Sequence, residues 1–241
     1  MSWQIARITA FNDNYIWALH QGQNAWVVDP GDALPVLEWL AASSCQLQGI
    51  LLTHWHNDHQ GGVNALLHVF PTIPVIGSLK PLNGPSSPVS DGDLIQVLGL
   101  DFQVHATPGH TLDHVCYVCT DPRLDAPIAF TGDTLFAGGC GRLFEGDAAL
   151  MFSSLQRLNC YPGNTQIYCA HEYTIANLRF AVACEPHNSE TLTRLQDAQT
   201  LVTLGQSTVP STLGLERLTN PFLRADTAAE LGRRRSWKDQ F

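Results

Sequence analysis

The chain has 241 residues, 44% of them hydrophobic and 15% charged, and a formal net charge of −9. Its length allows a sizeable core in one large domain or two unequal ones. The acidic balance disfavours a nucleic-acid partner, the lack of an apolar run of roughly 18 residues argues against a membrane span, and seven scattered cysteines do not frame a secreted disulfide scaffold.

The opening residues, MSWQIARITAFNDNY, lack the basic start and long apolar stretch of an export signal, so a cytoplasmic location is expected. Residues 3–10 and 24–28 read as strands, with a turn near Gly22. DPGDALPVLEWLAA then makes a turn and a short amphipathic helix, because Leu34, Leu37, Leu40 and Ala41 fall at helical spacing. Residues 48–54 form a buried strand that runs into a histidine-rich segment. Residues 61–70 resume as helix until Pro71.

Residues 81–93 are dense in Pro, Gly and Ser and read as a loop. A hairpin over 94–106 turns at Gly99, and strands follow at 114–120 and 127–133. Cys116 and Cys119 have C-x-x-C spacing, but residues three apart on a strand face opposite sides. They read as buried structural thiols. A helix over 147–159 is capped by Asp147, and 165–171 is the last clear strand. Beyond residue 174 helical periodicity prevails, and Thr227 and Glu230 have capping-box spacing. The expectation is an α/β domain over 1–173 and a small helical domain over 174–241.

The strongest chemical signal is Thr53-His54-Trp55-His56-Asn57-Asp58-His59. Four potential ligands in six residues cannot share one face of a helix or strand, but in a loop they can diverge around two metals. Three later segments repeat the pattern of a strand ending in a ligand. Thr107-Pro108-Gly109-His110 follows QVHA, Thr131-Gly132-Asp133 follows PIAF, and Ala170-His171-Glu172 follows QIYC. Imidazole and carboxylate suit zinc, iron or manganese, and the ligand types do not choose among them. His114 could orient a ligand from behind, whereas His20, His68 and His187 read as surface or structural residues. GxSxG is absent, and Cys140, in a glycine-rich turn, reads as a structural thiol.

These residues resemble the metallo-β-lactamase superfamily, whose hallmark is H-x-H-x-D-H followed by a distant His, Asp and His. Within it the chain is similar to the glyoxalase II family, the hydroxyacylglutathione hydrolases. The similarity runs through FNDNYIW, DPGD, THWHNDHQGG, TPGHT, TGDTLFAGGCGRLFEG, HEYT and RSWKDQF.

The resemblance implies an αβ/βα four-layer sandwich followed by a helical glutathione-binding domain. It implies one metal held by His54, His56 and His110, and a second held by Asp58, His59 and His171, with Asp133 bridging both. Two divalent ions are expected, zinc first, with iron or manganese as alternatives. The reaction implied is cleavage of S-D-lactoylglutathione to D-lactate and glutathione by a metal-bridging hydroxide, with Asp58 and Asp133 the catalytic carboxylates. Arg142, Arg235 and Lys238 match the positions that bind the glycine carboxylate of glutathione, and Tyr173 a tyrosine on its backbone. Phe144 stands where many members have Tyr, so one hydrogen bond to substrate is lost. The chain is expected to act as a monomer.

Three other readings stay in view. A glutathione-persulfide dioxygenase of the same superfamily uses a single iron, and the helical tail points away from it. A nuclease branch would need a basic exosite. A binding domain that kept the fold but lost activity is hard to reconcile with seven filled ligand positions.

Overall fold

In a computed structural model, residues 2–77 and 86–241 are described, and the chain divides into two units. The first takes residues 1–106 and 113–125, and the second takes 107–112 and 126–241.

In the first unit, β-branched and aromatic residues build a sheet from β1 (Gln4–Ala10), β2 (Asn14–Gln21), β3 (Asn24–Val28), β4 (Gln46–Leu52), β5 (Val75–Gly77) and β6 (Ser86–Pro88). The order follows the chain, antiparallel from β1 to β3 and parallel from β3 to β6. Strand β2 reads NYIWALHQ, and its first six residues are buried without alternation. That lack of a period-two pattern is why it does not stand out in the sequence.

The expected loop over 81–93 needs correction where it is described: Ser86–Pro88 pairs in parallel with β5, while residues 81–85 lie outside the described residues. Pro88 is tolerated because β6 is an edge strand.

Helix α1 (Ala33–Ser43) starts where the Asp32 side chain accepts a hydrogen bond from the Leu34 backbone N–H at 3.0 Å. Its buried residues are Ala33, Val36 and Leu40, whereas Leu34 is 59% exposed and Ala41 is exposed. Of the four expected residues Leu40 is buried and Leu37 packs against the core, whereas Leu34 and Ala41 face solvent. The cap fixes the first turn, and the 33/36/40 stripe, not Leu34, joins Val27, Ile50, Leu52 and Val75 in the core. Each such fully buried aliphatic side chain contributes about 1.5–3 kcal/mol, enough to anchor strands whose ends carry polar residues.

Helices α2 (Asn57–Gln60) and α3 (Val63–Val69) follow β4. Strands β7 (Leu94–Val97), β8 (Leu100–Ala106) and β9 (Val115–Cys119) pair antiparallel in sequence order. Cys116 and Cys119 are both buried in β9, as expected of structural thiols. The Tyr117 hydroxyl donates to the Leu52 carbonyl at 2.7 Å, tying β9 to the end of β4.

The second unit holds β10 (Ile128–Gly132), the hairpin β11 (Leu135–Phe136) and β12 (Gly139–Cys140), and α4 (Ala148–Leu158). Then come β13 (Gln166–Cys169), α5 (Thr174–Cys184), α6 (Ser189–Thr203), β14 (Ser211–Thr212), α7 (Leu213–Thr219) and α8 (Ala228–Lys238). Strands β10 and β13 are parallel, and β14 pairs antiparallel with β13.

Asp147 caps α4, accepting from the Leu150 N–H at 2.9 Å. Thr227 caps α8 by accepting from the Glu230 N–H at 3.2 Å, while the Glu230 carboxylate reaches back to the Asp226 N–H at 2.9 Å. Strand β14 and helix α7 have no counterpart in the sequence reading. Helix α7 carries Glu216, fully buried, which accepts from Arg194 at 2.5 Å, from the Gly138 N–H at 2.8 Å and from Asn220 at 3.0 Å. A buried carboxylate is tolerable because these donors compensate its desolvation.

Among the described residues, no helix is long and apolar enough to cross a membrane.

Candidate metal centre

Parallel strands deliver the residues that follow them to a common edge. In the first unit β3 and β4 run parallel, so Asp29 and the segment from Thr53 emerge together. The Asp29 N–H donates to the Leu51 carbonyl at 3.0 Å. Its carboxylate accepts from the Thr53 N–H at 2.8 Å and from the Thr53 hydroxyl at 2.7 Å. The same carboxylate lies 3.0 Å from His59 Nδ1. Three interactions thus lock one buried aspartate between a strand end and a histidine ring.

The histidine-rich segment is not wholly a loop. β4 ends at Leu52, two residues before His54; His56 is the residue before α2, and Asp58 and His59 sit on that single helical turn. His54 Nε2 and His56 Nδ1 are 3.0 Å apart, and His59 Nε2 is 3.5 Å from Asp58 Oδ2. His54 Nδ1 lies 3.0 Å from the Thr53 hydroxyl, and the His114 ring stacks on His54 at 4.9 Å. His114 therefore does back a ligand-type residue.

Asn14 donates to Asp58 Oδ2 at 3.0 Å and to the Asp58 carbonyl at 3.3 Å. Gly31 is required here, because a Cβ at that position would lie 1.9 Å from the Asp58 carbonyl oxygen.

In the second unit β10 and β13 run parallel, so Asp133 and His171 leave the same edge. A register irregularity between Phe130 and Gly132 re-aims the chain just before Asp133. Asp133 Oδ2 is 3.4 Å from His110 Nε2, and its other oxygen, Oδ1, is 3.4 Å from His171 Nε2. His110 Nδ1 lies 2.8 Å from the Arg142 carbonyl. Gly141 permits this: a Cβ there would lie 2.0 Å from the Asp133 carbonyl.

The donor set fits divalent cations. Two donors each about 2.0–2.1 Å from one tetrahedral cation lie about 3.3 Å apart, close to the 3.4 Å separations at Asp133. His54, His59 and His110 each have their other ring nitrogen against an oxygen acceptor, the arrangement that fixes a ligating tautomer. A carboxylate with one oxygen toward each of two histidines suits a bridging position.

The expected substrate residues gather in the second unit. The Tyr173 ring stacks on His171 at 4.7 Å and 4°, and Phe144 packs edge-on against His110 at 5.2 Å. Arg142 lies over Phe144 at 6.0 Å and donates through Nε to Asp239 at 3.1 Å. Arg235 is only 6% exposed and donates to the Cys140 carbonyl at 2.9 Å. It is thus no solvated helix end. Lys238 Nζ lies 5.3 Å from the Phe180 ring centroid. Burial, aided by Arg235, pushes its pKa down to about 8, against the opposing pull of Cys140 and Asp239. Burial pushes the Cys140 thiol up to about 11, which suits a structural residue and not a nucleophile.

Sequence reasoning missed Asn14, Asp29 and Asp239 as parts of these clusters. FNDNY and DPGD carry the first two, but each looks like an ordinary turn until its partner is known. His20 packs against Trp39, and His68 and His187 are exposed, as their structural or surface reading requires.

The metallo-β-lactamase superfamily model matches residues 11–171, and the model of the hydroxyacylglutathione hydrolase C-terminus matches residues 172–241. A hydroxyacylglutathione hydrolase of Pseudoalteromonas translucida is 49% identical over 92% of this chain and 86% of its own. One from Pseudomonas putida is 46% identical over 99% of both chains. The crystal structure of ETHE1 from Myxococcus xanthus superposes with a TM-score of 0.71 at 24% identity, covering 98% of this chain and 90% of that one. This likeness shows the metallo-β-lactamase α/β fold, with the helical region at the C-terminal end.

Proposed function

The chain belongs to the hydroxyacylglutathione hydrolases of the metallo-β-lactamase superfamily, and from that premise we propose that it cleaves S-D-lactoylglutathione to D-lactate and glutathione. It is a thioester hydrolase that depends on divalent metal ions. His54, His56 and His110 would hold one ion and Asp58, His59 and His171 the other, with Asp133 as the seventh residue of the set. Zinc is the metal we assign to both positions. The observation that carries this reading is the Asp133 carboxylate, whose two oxygens each lie 3.4 Å from a different histidine.

When bound, such a pair of cations supplies Lewis acidity towards a carbonyl oxygen and lowers the pKa of water towards about 7. The chain's own residues set the geometry for that chemistry. Asp29 and the Arg142 carbonyl hold His59 and His110 in the tautomer that leaves Nε2 as the donor atom. Asn14 restrains Asp58 through a hydrogen bond that the ionised carboxylate accepts. Tyr173 and Phe144, beside His171 and His110, flank the thioester. Arg142, Arg235 and Lys238 bind the glycine carboxylate of the glutathione moiety. On this reading the segment 1–173 supplies the metal chemistry with Arg142, Phe144 and Tyr173, and 174–241 adds Arg235 and Lys238 to the grip on glutathione.

We propose that it works on a small glutathione thioester without a nucleic-acid partner, a reading that the net charge of −9 supports. The test is release of thiol and D-lactate from S-D-lactoylglutathione by the purified, metal-loaded chain. Rapid turnover is expected; none, alongside cleavage of unrelated esters, would overturn the substrate.

A further inference from the structure

Asp239 is the residue that ends α8, and its carboxylate occupies the cationic corner. One oxygen, Oδ1, accepts from Arg142 Nε at 3.1 Å and from Arg235 Nη2 at 2.9 Å. Two guanidinium groups, from the segment after β12 and from the last turn of α8, thus converge on a single carboxylate oxygen. Arg235 also donates through Nη1 to the Cys140 carbonyl, which fixes the buried guanidinium from its other side. Helix stability does not explain an acidic residue here, because a negative charge at a helix C-terminus opposes the macrodipole.

The three members of this contact differ in exposure. The Arg235 side chain is 7% exposed, Asp239 34% and Arg142 55%. Arg235 is therefore fixed, whereas Asp239 and Arg142 can change partners at low cost, since half-exposed ion pairs are weak. Lys238, whose Nζ stands 5.3 Å from the Phe180 ring centroid, feels the charges of Arg235 and Asp239 without bonding to either.

We propose that Asp239 is an intramolecular counter-carboxylate: it occupies the Arg142 and Arg235 donors in the free enzyme and yields them to the carboxylate of the incoming thioester. This rests on the glutathione reading above. The consequence is selectivity. The free corner is partly neutralised, so weak anions gain little there, and a substrate must bring a well-placed carboxylate to win the arginines. Asp239 acts through those two arginines and touches no reacting atom.

The test compares KM for S-D-lactoylglutathione and for the same thioester methylated at its glycine carboxylate, in the wild type, Asp239→Asn and Asp239→Glu. Asp239→Asn keeps the shape and removes the competing charge. Its KM for the free acid should fall about two- to fivefold, with little change for the ester, so the ester-to-acid ratio rises. Asp239→Glu, which restores the charge, should return the ratio towards the wild-type value. A ratio that stays level or falls in Asp239→Asn would overturn the proposal, because a residue that merely holds the arginines in place would weaken acid binding when neutralised. Failure of the substrate reading looks different: wild-type enzyme would then treat acid and ester alike.

Discussion

The ligand-bearing strand ends and the cationic end of α8 solve opposite problems. His54, His59, His110, Asp133 and His171 are all buried, and their positions are fixed by parallel strands and by acceptors such as Asp29 and the Arg142 carbonyl. At Asp239 Oδ1 the two arginines share one acceptor oxygen: Arg235 is buried, while Arg142 and Asp239 stand partly in solvent. The buried clusters are each preorganised within their own unit, so loss of an acceptor should disturb the histidine that it holds. The corner at Asp239 exchanges partners, so its parts should fail by degrees. On the proposed function, chemistry belongs to the buried clusters and affinity to the adjustable corner, and this division is open to attack by mutation.

The largest effect should come from His56→Ala, which removes a nitrogen 3.0 Å from His54 Nε2. Turnover should be abolished and metal content should drop, read by activity together with elemental analysis. Asp29→Ala comes next. It contacts no proposed substrate group, yet it should cost about 10–100-fold in metal affinity or activity, because His59 and Thr53 lose their common anchor. An Asp29→Ala enzyme with normal metal affinity and rate would break the claim that buried acceptors set the proposed metal ligands.

Lys238→Ala should mainly raise KM. Its effect is tied to pH: with its pKa lowered to about 8, Lys238 loses its charge as pH rises through that value, and KM should climb there. Lys238→Arg should abolish the climb. The same shift has a stability consequence. Between about 8 and the ordinary 10.5 the unfolded chain holds the proton that the folded chain releases, so this group's contribution to stability rises with pH across that window. A flat KM profile from pH 7 to 9 would remove Lys238 from the carboxylate corner. The smallest expected change is a gain. Phe144→Tyr should restore a hydroxyl beside the substrate and lower KM by an amount equivalent to about 0.5–1.5 kcal/mol.

The rigid region was largely legible in the sequence and the adjustable one was not, for physical reasons. THWHNDH after an apolar strand, and His110, Asp133 and His171 in the segments that follow three later strands, advertise themselves, since burying so many ligand-type residues would be costly without a use. Asp29 hid in a turn motif because its value lies in partners 24 and 30 residues away. Glu216 hid in α7, where a glutamate at helical spacing reads as solvated, although it is fully buried against Arg194. Arg235 and Lys238 were visible as charges, but only the family resemblance distinguished them from an ordinary basic helix end. Asp239 lies within RSWKDQF, but nothing in that stretch shows that its carboxylate accepts from both Arg142 and Arg235. In α1 the leucine spacing places Leu37 and Leu40 on the core side but includes the exposed Leu34, because the buried stripe is completed by Ala33 and Val36.

The central claim is that turnover requires two divalent ions on the seven-residue ligand set. The direct measurement is metal content per chain followed in step with hydrolysis of S-D-lactoylglutathione, through complete chelation and stepwise return of zinc. The account predicts that activity disappears with chelation and returns in full only as the second ion binds. Activity that survives complete chelation, or full activity with one ion per chain, would contradict it.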